Sequence, residues 1–182
     1  MKLKGGSRGG DDSDITSTLP PFSVPPPPWH LIGAAVLVPR GWSTLLALVH
    51  YESSPVGPYD ELAVSTLTRR GPSVMEMYVT SQASMIGGRK GWGFPKQLGR
   101  LRWQRQGRRV VFRAGSREWR MRSCGPAFPV RARLWSVQVL DGQPVKVPLS
   151  VVGRVRLAFQ GRRIALLIES FEMTVLPPLA IN

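Results

Sequence analysis

Leu98-Gly99-Arg100-Leu101-Arg102-Trp103-Gln104-Arg105-Gln106-Gly107-Arg108-Arg109-Val110-Val111-Phe112-Arg113-Ala114-Gly115-Ser116-Arg117-Glu118-Trp119-Arg120-Met121-Arg122 is the stretch that decides the fold. In Arg100-Leu101-Arg102-Trp103 and again in Trp119-Arg120-Met121-Arg122, arginine alternates with a large apolar residue. That is the two-residue period of a strand with one buried and one wet face. Gln106-Gly107 and Gly115-Ser116 punctuate the run as turns, so it reads as three strands, 98–105, 109–113 and 117–122, folded back on one another.

The same pattern extends outward. Upstream, strands are expected at Leu31 to Val38, Thr44 to Tyr51, Leu62 to Thr68 and Val74 to Thr80. Downstream they are expected at Leu134 to Leu140, Val151 to Ala158 and Arg163 to Leu176, with turns at Asp141-Gly142 and Gln160-Gly161. One short helix fits near Ser81 to Arg89, where Ser81 or Ser84 can cap it. The fold class is mainly antiparallel β with one or two short helices, and a sheet of this size must close into a barrel or double over to hide its edges.

With 182 residues, 42% of them hydrophobic, the chain can enclose one core. Residues 1–28 are rich in Gly, Ser and Asp and end in four prolines, a composition that cannot offset its ordering entropy. They read as a flexible tail, and residues 29–182 as a single β domain. No apolar run nears the roughly 20 residues that span a bilayer, and the N-terminus lacks the apolar core of a secretory signal. The expectation is a cytoplasmic protein with no membrane partner. Cys124 is the single cysteine and has no ligand-spaced neighbour.

The net charge of +14 comes from 20 arginines and five lysines against 11 acids, and 11 of the arginines fall between Arg100 and Arg133. Such a chain attracts polyanions. No helix-turn-helix, zinc-finger or RNA-binding signature accompanies the arginines, so a solvated sheet face accounts for them better than a nucleic-acid surface.

The chemistry concentrates in Gly88-Arg89-Lys90-Gly91-Trp92-Gly93-Phe94-Pro95-Lys96-Gln97-Leu98-Gly99. Most lysines coat a surface with the ammonium in water. Lys96 follows Trp92, Phe94 and Pro95 and precedes Leu98, an apolar setting in which desolvation disfavours the ammonium and frees a nucleophilic amine. Arg89 and Lys90 can add a cationic field if the glycine-rich segment turns back. The Walker and dinucleotide patterns are absent, so Gly87-Gly88-Arg89 reads as a tight turn that positions Arg89. His50 reads as structural, Glu52 as a solvated loop carboxylate, and Glu76 as pointing away from Met75 and Met77.

The segment resembles the acetoacetate decarboxylase family, whose hallmark is Gly-Arg, an aromatic, then Pro-Lys and Leu-Gly. Here it reads Gly88-Arg89, Trp92, Phe94, Pro95-Lys96 and Leu98-Gly99. Gly57-Pro58-Tyr59-Asp60-Glu61-Leu62 is similar to the family's segment bearing an active-site glutamate, and Ser81 to Arg89 resembles the lead-in to the Gly-Arg turn. Acetoacetate decarboxylase is the standing example of an activated lysine. The resemblance implies a Schiff-base role for Lys96 and a supporting one for Glu61, in a closed antiparallel β-barrel that forms a homo-oligomer. Arg89, Tyr59, Trp92 and Phe94 become the candidate substrate-binding residues, and the chemistry needs no metal or organic cofactor.

Three positions depart from the pattern. Gln97 stands where a second lysine is common, Leu45 where another acid is expected, and no arginine near Leu31 to Ala35 matches the one that meets substrate, Arg40 being unassigned. The expected function is therefore Schiff-base lyase chemistry on a β-keto or related oxo acid, decarboxylation first, with Lys96 neutral in an apolar cavity. The alternatives are aldolase or dehydratase chemistry, a non-catalytic small-molecule-binding barrel and, last, nucleic-acid binding.

Overall fold

The computed structural model describes residues 24–181, which form eleven strands and one helix. The strands are β1 (Trp29–Arg40), β2 (Thr44–Ser53), β3 (Tyr59–Thr68), β4 (Gly71–Val79), β5 (Lys96–Leu98), β6 (Leu101–Gln106), β7 (Arg109–Ala114), β8 (Arg117–Leu140), β9 (Gln143–Gln160), β10 (Arg163–Val175) and β11 (Leu179–Ala180). Helix α1 (Gln82–Trp92) lies between β4 and β5. One sheet runs β5-β4-β3-β2-β1-β10-β9-β8-β7-β6, with β11 on β9. The pairing is antiparallel throughout except for β4 with β5. The β8–β9 hairpin turns on Asp141 and Gly142, with φ of 50° and 78°. Two positive φ values in succession match the right-handed twist of the flanking strands, and Asp-Gly supplies them at low cost.

The sequence pattern places strands at Arg117 to Arg122 and at Leu134 to Leu140, with none between them. The strand is continuous. Its register shifts between Cys124 and Phe128, so the extra residues bulge out of the ladder and proline is tolerated there. The helix also departs from expectation, running one turn further. Ser81 caps it, its Oγ accepting from Ser84 N at 3.2 Å, and Gly93 ends it in the left-handed region, its N–H donating to Arg89 O at 3.0 Å. Gly87-Gly88-Arg89, expected as a tight turn, and the residues after it up to Trp92 are thus helix.

Alternation along β1 to β3 feeds two cores on opposite faces of the sheet. Leu46, Leu48 and Leu62 face one side, where β7 and the start of β8 fold over them with Val110, Phe112, Trp119 and Met121. Val49, Tyr51, Tyr59 and Ala63 face the other, packed with Val79, Trp92, Val147 and Phe171. Burial on both faces explains the unbroken apolar runs of β1 and β2. On the flap, Arg102, Arg113, Arg120 and Arg122 are exposed while Phe112, Trp119 and Met121 are buried. Asp60 pins the flap to β3, its Oδ2 accepting from Trp103 N at 2.9 Å and its Oδ1 lying 2.6 Å from His50 Nδ1.

The expected tail, residues 1–28, lies outside the described residues up to position 23. Val24 to Pro28 do not hang free: Val24 packs against the first core, and Pro25 O accepts from Trp29 Nε1 at 2.8 Å. Among the described residues, no helix is long and apolar enough to cross a membrane.

Phe112 is fully buried where the flap meets the central strands. Phe112→Ala is expected to cost about 3–5 kcal/mol in urea unfolding, whereas Val139→Ala, at an exposed position, should stay within about 0.5 kcal/mol.

Candidate active site

Strand register assembles the site. Tyr51 on β2 lies directly opposite Tyr59 on β3. Tyr59, Glu61 and Ala63 then alternate onto one face. On β4, Val79 pairs with Glu61 and Met77 with Ala63; the parallel strand β5 sets Lys96 opposite Met77. Paired residues share a face, so Lys96, Glu61, Tyr59 and Tyr51 all project toward the core covered by α1. From α1, Ser84 is fully buried against them. A Cβ on Gly88 would lie 2.6 Å from Lys96 Cδ and 2.7 Å from Cε, so only glycine lets the helix lie over the lysine stem.

Lys96 Nζ stands 2.9 Å from Glu61 Oε2, and each residue is only 5% exposed. Nζ donates to Ser84 Oγ at 2.9 Å and more weakly to Tyr59 OH at 3.5 Å, while Tyr51 OH donates to Glu61 Oε1 at 3.1 Å. Glu61 Oε2 receives no aligned hydrogen bond, so its contact with Lys96 is held by charge. The ring centroids of Tyr51 and Tyr59 are 4.5 Å apart, and Phe171 meets Tyr51 edge-on. Among the described residues, no three His, Cys, Asp or Glu side chains gather as a metal site.

Burial is the largest influence on Lys96 and favours the free amine, but Glu61, followed by Tyr59, outweighs it and holds the lysine above its usual pKa. This corrects the expectation of a neutral lysine in an apolar cavity. The apolar neighbours are present, and so is a buried carboxylate in contact. Burial first and the Glu61 charge second push Tyr51 well above the ordinary phenol range. Burial also raises Tyr59, against the pull of Lys96.

The expected residues divide into two groups. Lys96, Glu61 and Tyr59 meet. Arg89 is exposed, and its Nε donates to Lys96 O at 2.6 Å, fixing the lysine's main chain from outside. Trp92 belongs to the core, donating Nε1–H to Leu176 O at 2.6 Å and packing edge-on against Trp29, and Phe94 lies beside it. Gln97 is exposed and, one residue along the strand, faces away from Lys96, so its amide stays out of the site. Arg40 sits at the β1–β2 turn and Glu52 in solvent. Sequence reasoning missed two contributors. Ser84 reads from sequence only as a cap and part of the lead-in segment, and Tyr51 only as the end of a strand; cross-strand register and the helix's approach assign them, and neither is visible in local pattern.

Residues 43–121 match the family model described as acetoacetate decarboxylase, a span that includes Tyr51, Glu61, Ser84 and Lys96. Among solved structures, the acetoacetate decarboxylase of Legionella pneumophila subsp. pneumophila str. Philadelphia 1 superposes with a TM-score of 0.60 at 14% identity, covering 99% of this chain and 98% of that one. A second acetoacetate decarboxylase structure gives 0.55 at 13% identity, covering 93% and 95%. The enduracididine biosynthesis enzyme MppR, complexed with pyruvate, gives 0.52 at 14% identity, covering 88% and 92%. At these identities the likeness to the solved structures is one of fold. No curated protein sequence matches the chain.

Glu61→Gln removes the largest influence that raises Lys96 and leaves burial, which lowers it. Lys96 should then acylate at lower pH than in the wild type, as followed by peptide mass mapping after labelling across a pH series. An unchanged profile would contradict the pairing. Because the folded pKa is raised, the pair's stabilisation is complete below the unfolded lysine value near ~10.4 and is lost as pH climbs through the folded one.

Proposed function

We propose that this chain, whose residues 43–121 match the acetoacetate decarboxylase family model and whose fold is like that of acetoacetate decarboxylase structures, is a Schiff-base lyase acting on a β-keto or related oxo acid, with decarboxylation as its leading reaction. The observation that carries this reading is a lysine amine 2.9 Å from a carboxylate, both buried, inside the segment matched by the family model. Structural ion pairs are seldom buried so completely, because desolvating both charges costs several kcal/mol per ion.

The resting pair is ammonium and carboxylate. Passing the Nζ proton to Glu61 Oε2 neutralises both groups and yields the amine that attacks the substrate ketone. The carbinolamine loses its hydroxyl as water, with a proton supplied by Glu61, and the iminium forms beside the carboxylate thus restored. Cleavage of the bond to the β-carboxylate releases carbon dioxide, and its electron pair neutralises the iminium as an enamine. The enamine carbon takes a proton, and water hydrolyses the imine to product ketone and free lysine. Glu61 is the proton carrier, kept in place by Tyr51. Ser84 and Tyr59 orient Nζ, and Tyr59 faces the substrate. Arg89 fixes the Lys96 main chain, while Trp92 and Phe94 form the apolar wall behind it. No metal or organic cofactor is required. The same iminium also serves aldol addition or dehydration, and the structural likeness to MppR, whose complex holds pyruvate, supports keeping that chemistry in view.

A second reading, a non-catalytic binding barrel, is favoured by the raised Lys96 pKa and by Leu45 and Arg40, which supply no further acid or arginine to the pair. We also place the protein in the cytoplasm as a homo-oligomer. The apolar side chains exposed on β8 and β9, including Phe128, Leu134 and Val152, supply a contact face, which sedimentation velocity would test by showing a species larger than the 20.1 kDa monomer.

Borohydride trapping with a panel of β-keto and pyruvate-type acids should place a reduced adduct on Lys96. Lys96→Ala should abolish it, and Glu61→Gln should slow it by about 10²-fold or more. Carbon dioxide release separates decarboxylase from aldolase-like outcomes. Absence of any adduct, or equal trapping by Lys96→Ala, would leave the binding barrel standing.

A further inference from the structure

One end of the sheet carries a feature that the lysine site does not use. In the contiguous order β4-β3-β2-β1-β10-β9, antiparallel pairing brings the turns after β1, β3 and β9 to the same end. Six strands spaced about 4.8 Å apart make this rim roughly 24 Å wide.

The turns are Arg40-Gly41-Trp42-Ser43, Thr68-Arg69-Arg70-Gly71 and Gln160-Gly161-Arg162-Arg163. All five arginines are exposed, and among the described residues none is paired with a carboxylate. Neither these turns nor the residues flanking them, 39–44, 67–72 and 159–164, include an Asp or Glu. The rim also projects apolar groups. Trp42, on the tip of the β1–β2 turn, is fully exposed, and Leu67 and Ile164 are 63% and 60% exposed at the other two. Between the β1–β2 and β9–β10 turns lies a surface cleft of about 640 Å³ lined by Arg40, Arg162 and Arg163 with Pro39 and Ile164.

We propose that this rim docks the protein on the surface of an anionic phospholipid bilayer. Its guanidinium groups would meet headgroup phosphates, the Arg40–Arg162–Arg163 cleft would seat one of them, and Trp42, Leu67 and Ile164 would enter the boundary between headgroups and acyl chains. Arginine pairs with phosphate bidentately, and tryptophan favours that boundary. Adjacent basic and apolar side chains on one exposed edge are the combination that peripheral attachment uses. Nucleic acid fits less well, since only Trp42 can stack on a base and the two aliphatic tips have no partner there. A second copy of the same rim would set arginine against arginine. The expectation of no membrane partner rested on the absence of a spanning segment, and docking needs none.

The test is flotation of the full chain with phosphatidylcholine vesicles, with and without phosphatidylglycerol. The protein should float with the anionic vesicles only, and brominated lipid should quench its tryptophan fluorescence. Trp42→Ser should weaken binding about fivefold and abolish most of the quenching. Arg162→Glu with Arg163→Glu should weaken binding at least tenfold, while Arg131→Glu with Arg133→Glu, an equal charge change on an exposed stretch of β8, should change it less than twofold. Unchanged circular dichroism spectra keep misfolding out of the comparison. Failure to bind anionic vesicles at low salt would overturn the proposal, as would equal losses in the two double variants. Tighter, Trp42-dependent binding to single-stranded RNA, or a rim variant that changes the oligomeric state, would reassign the surface. None of these outcomes bears on imine formation at Lys96.

Discussion

Burying one ammonium against one carboxylate is the constraint on which the rest of the site depends. Lys96 and Glu61 are each 5% exposed and 2.9 Å apart, so each would be prohibitively costly there without the other. Their surroundings offset part of that cost. Ser84 accepts from the ammonium, Tyr51 donates to Glu61 Oε1, and Tyr59 lies within reach of Nζ. Gly88 gives up side-chain packing so that α1 can cover the lysine stem. The one carboxylate oxygen without an aligned donor, Oε2, is the oxygen that faces the amine.

The wider fold keeps this pair in register. The mixed edge β3-β4-β5 sets Glu61 and Lys96 one row apart on the same face, and a slip of one residue in either pairing would turn one of them to the opposite face of the sheet. The β2–β3 pairing is fixed in the same way, since a one-residue slip there would turn Leu62 out of the core it shares with Leu48. Register is thus strongly specified, and the site inherits that precision. Arg89 and Trp92 act from behind, one holding the Lys96 carbonyl and the other tying the end of α1 to Leu176.

Much of this was legible in the chain itself. The alternation around Trp103 and Trp119 pointed to strands with a wet arginine face, and the Pro95-Lys96 and Tyr59-Asp60-Glu61 segments pointed to the two residues that meet as a buried ion pair. What escaped had non-local causes. The continuity of β8 depends on a bulge that absorbs Gly125 and Pro126, and the helical state of Gly91 and Trp92 depends on a cap at Gly93. Ser84 and Tyr51 join the site only through the helix's approach and cross-strand pairing. The ionisation of Lys96 was misjudged because its apolar neighbours are local in sequence while its counter-ion lies 35 residues away.

Isotope-edited NMR of the lysine ε-carbons tests the central claim most directly, since the chain has only five lysines to resolve. One resonance, absent in Lys96→Ala, should titrate above the others in the free protein and give way to an imine signal on addition of a β-keto acid. If all five titrate together and none responds to any oxo acid, Lys96 is neither held by Glu61 nor a Schiff-base nucleophile.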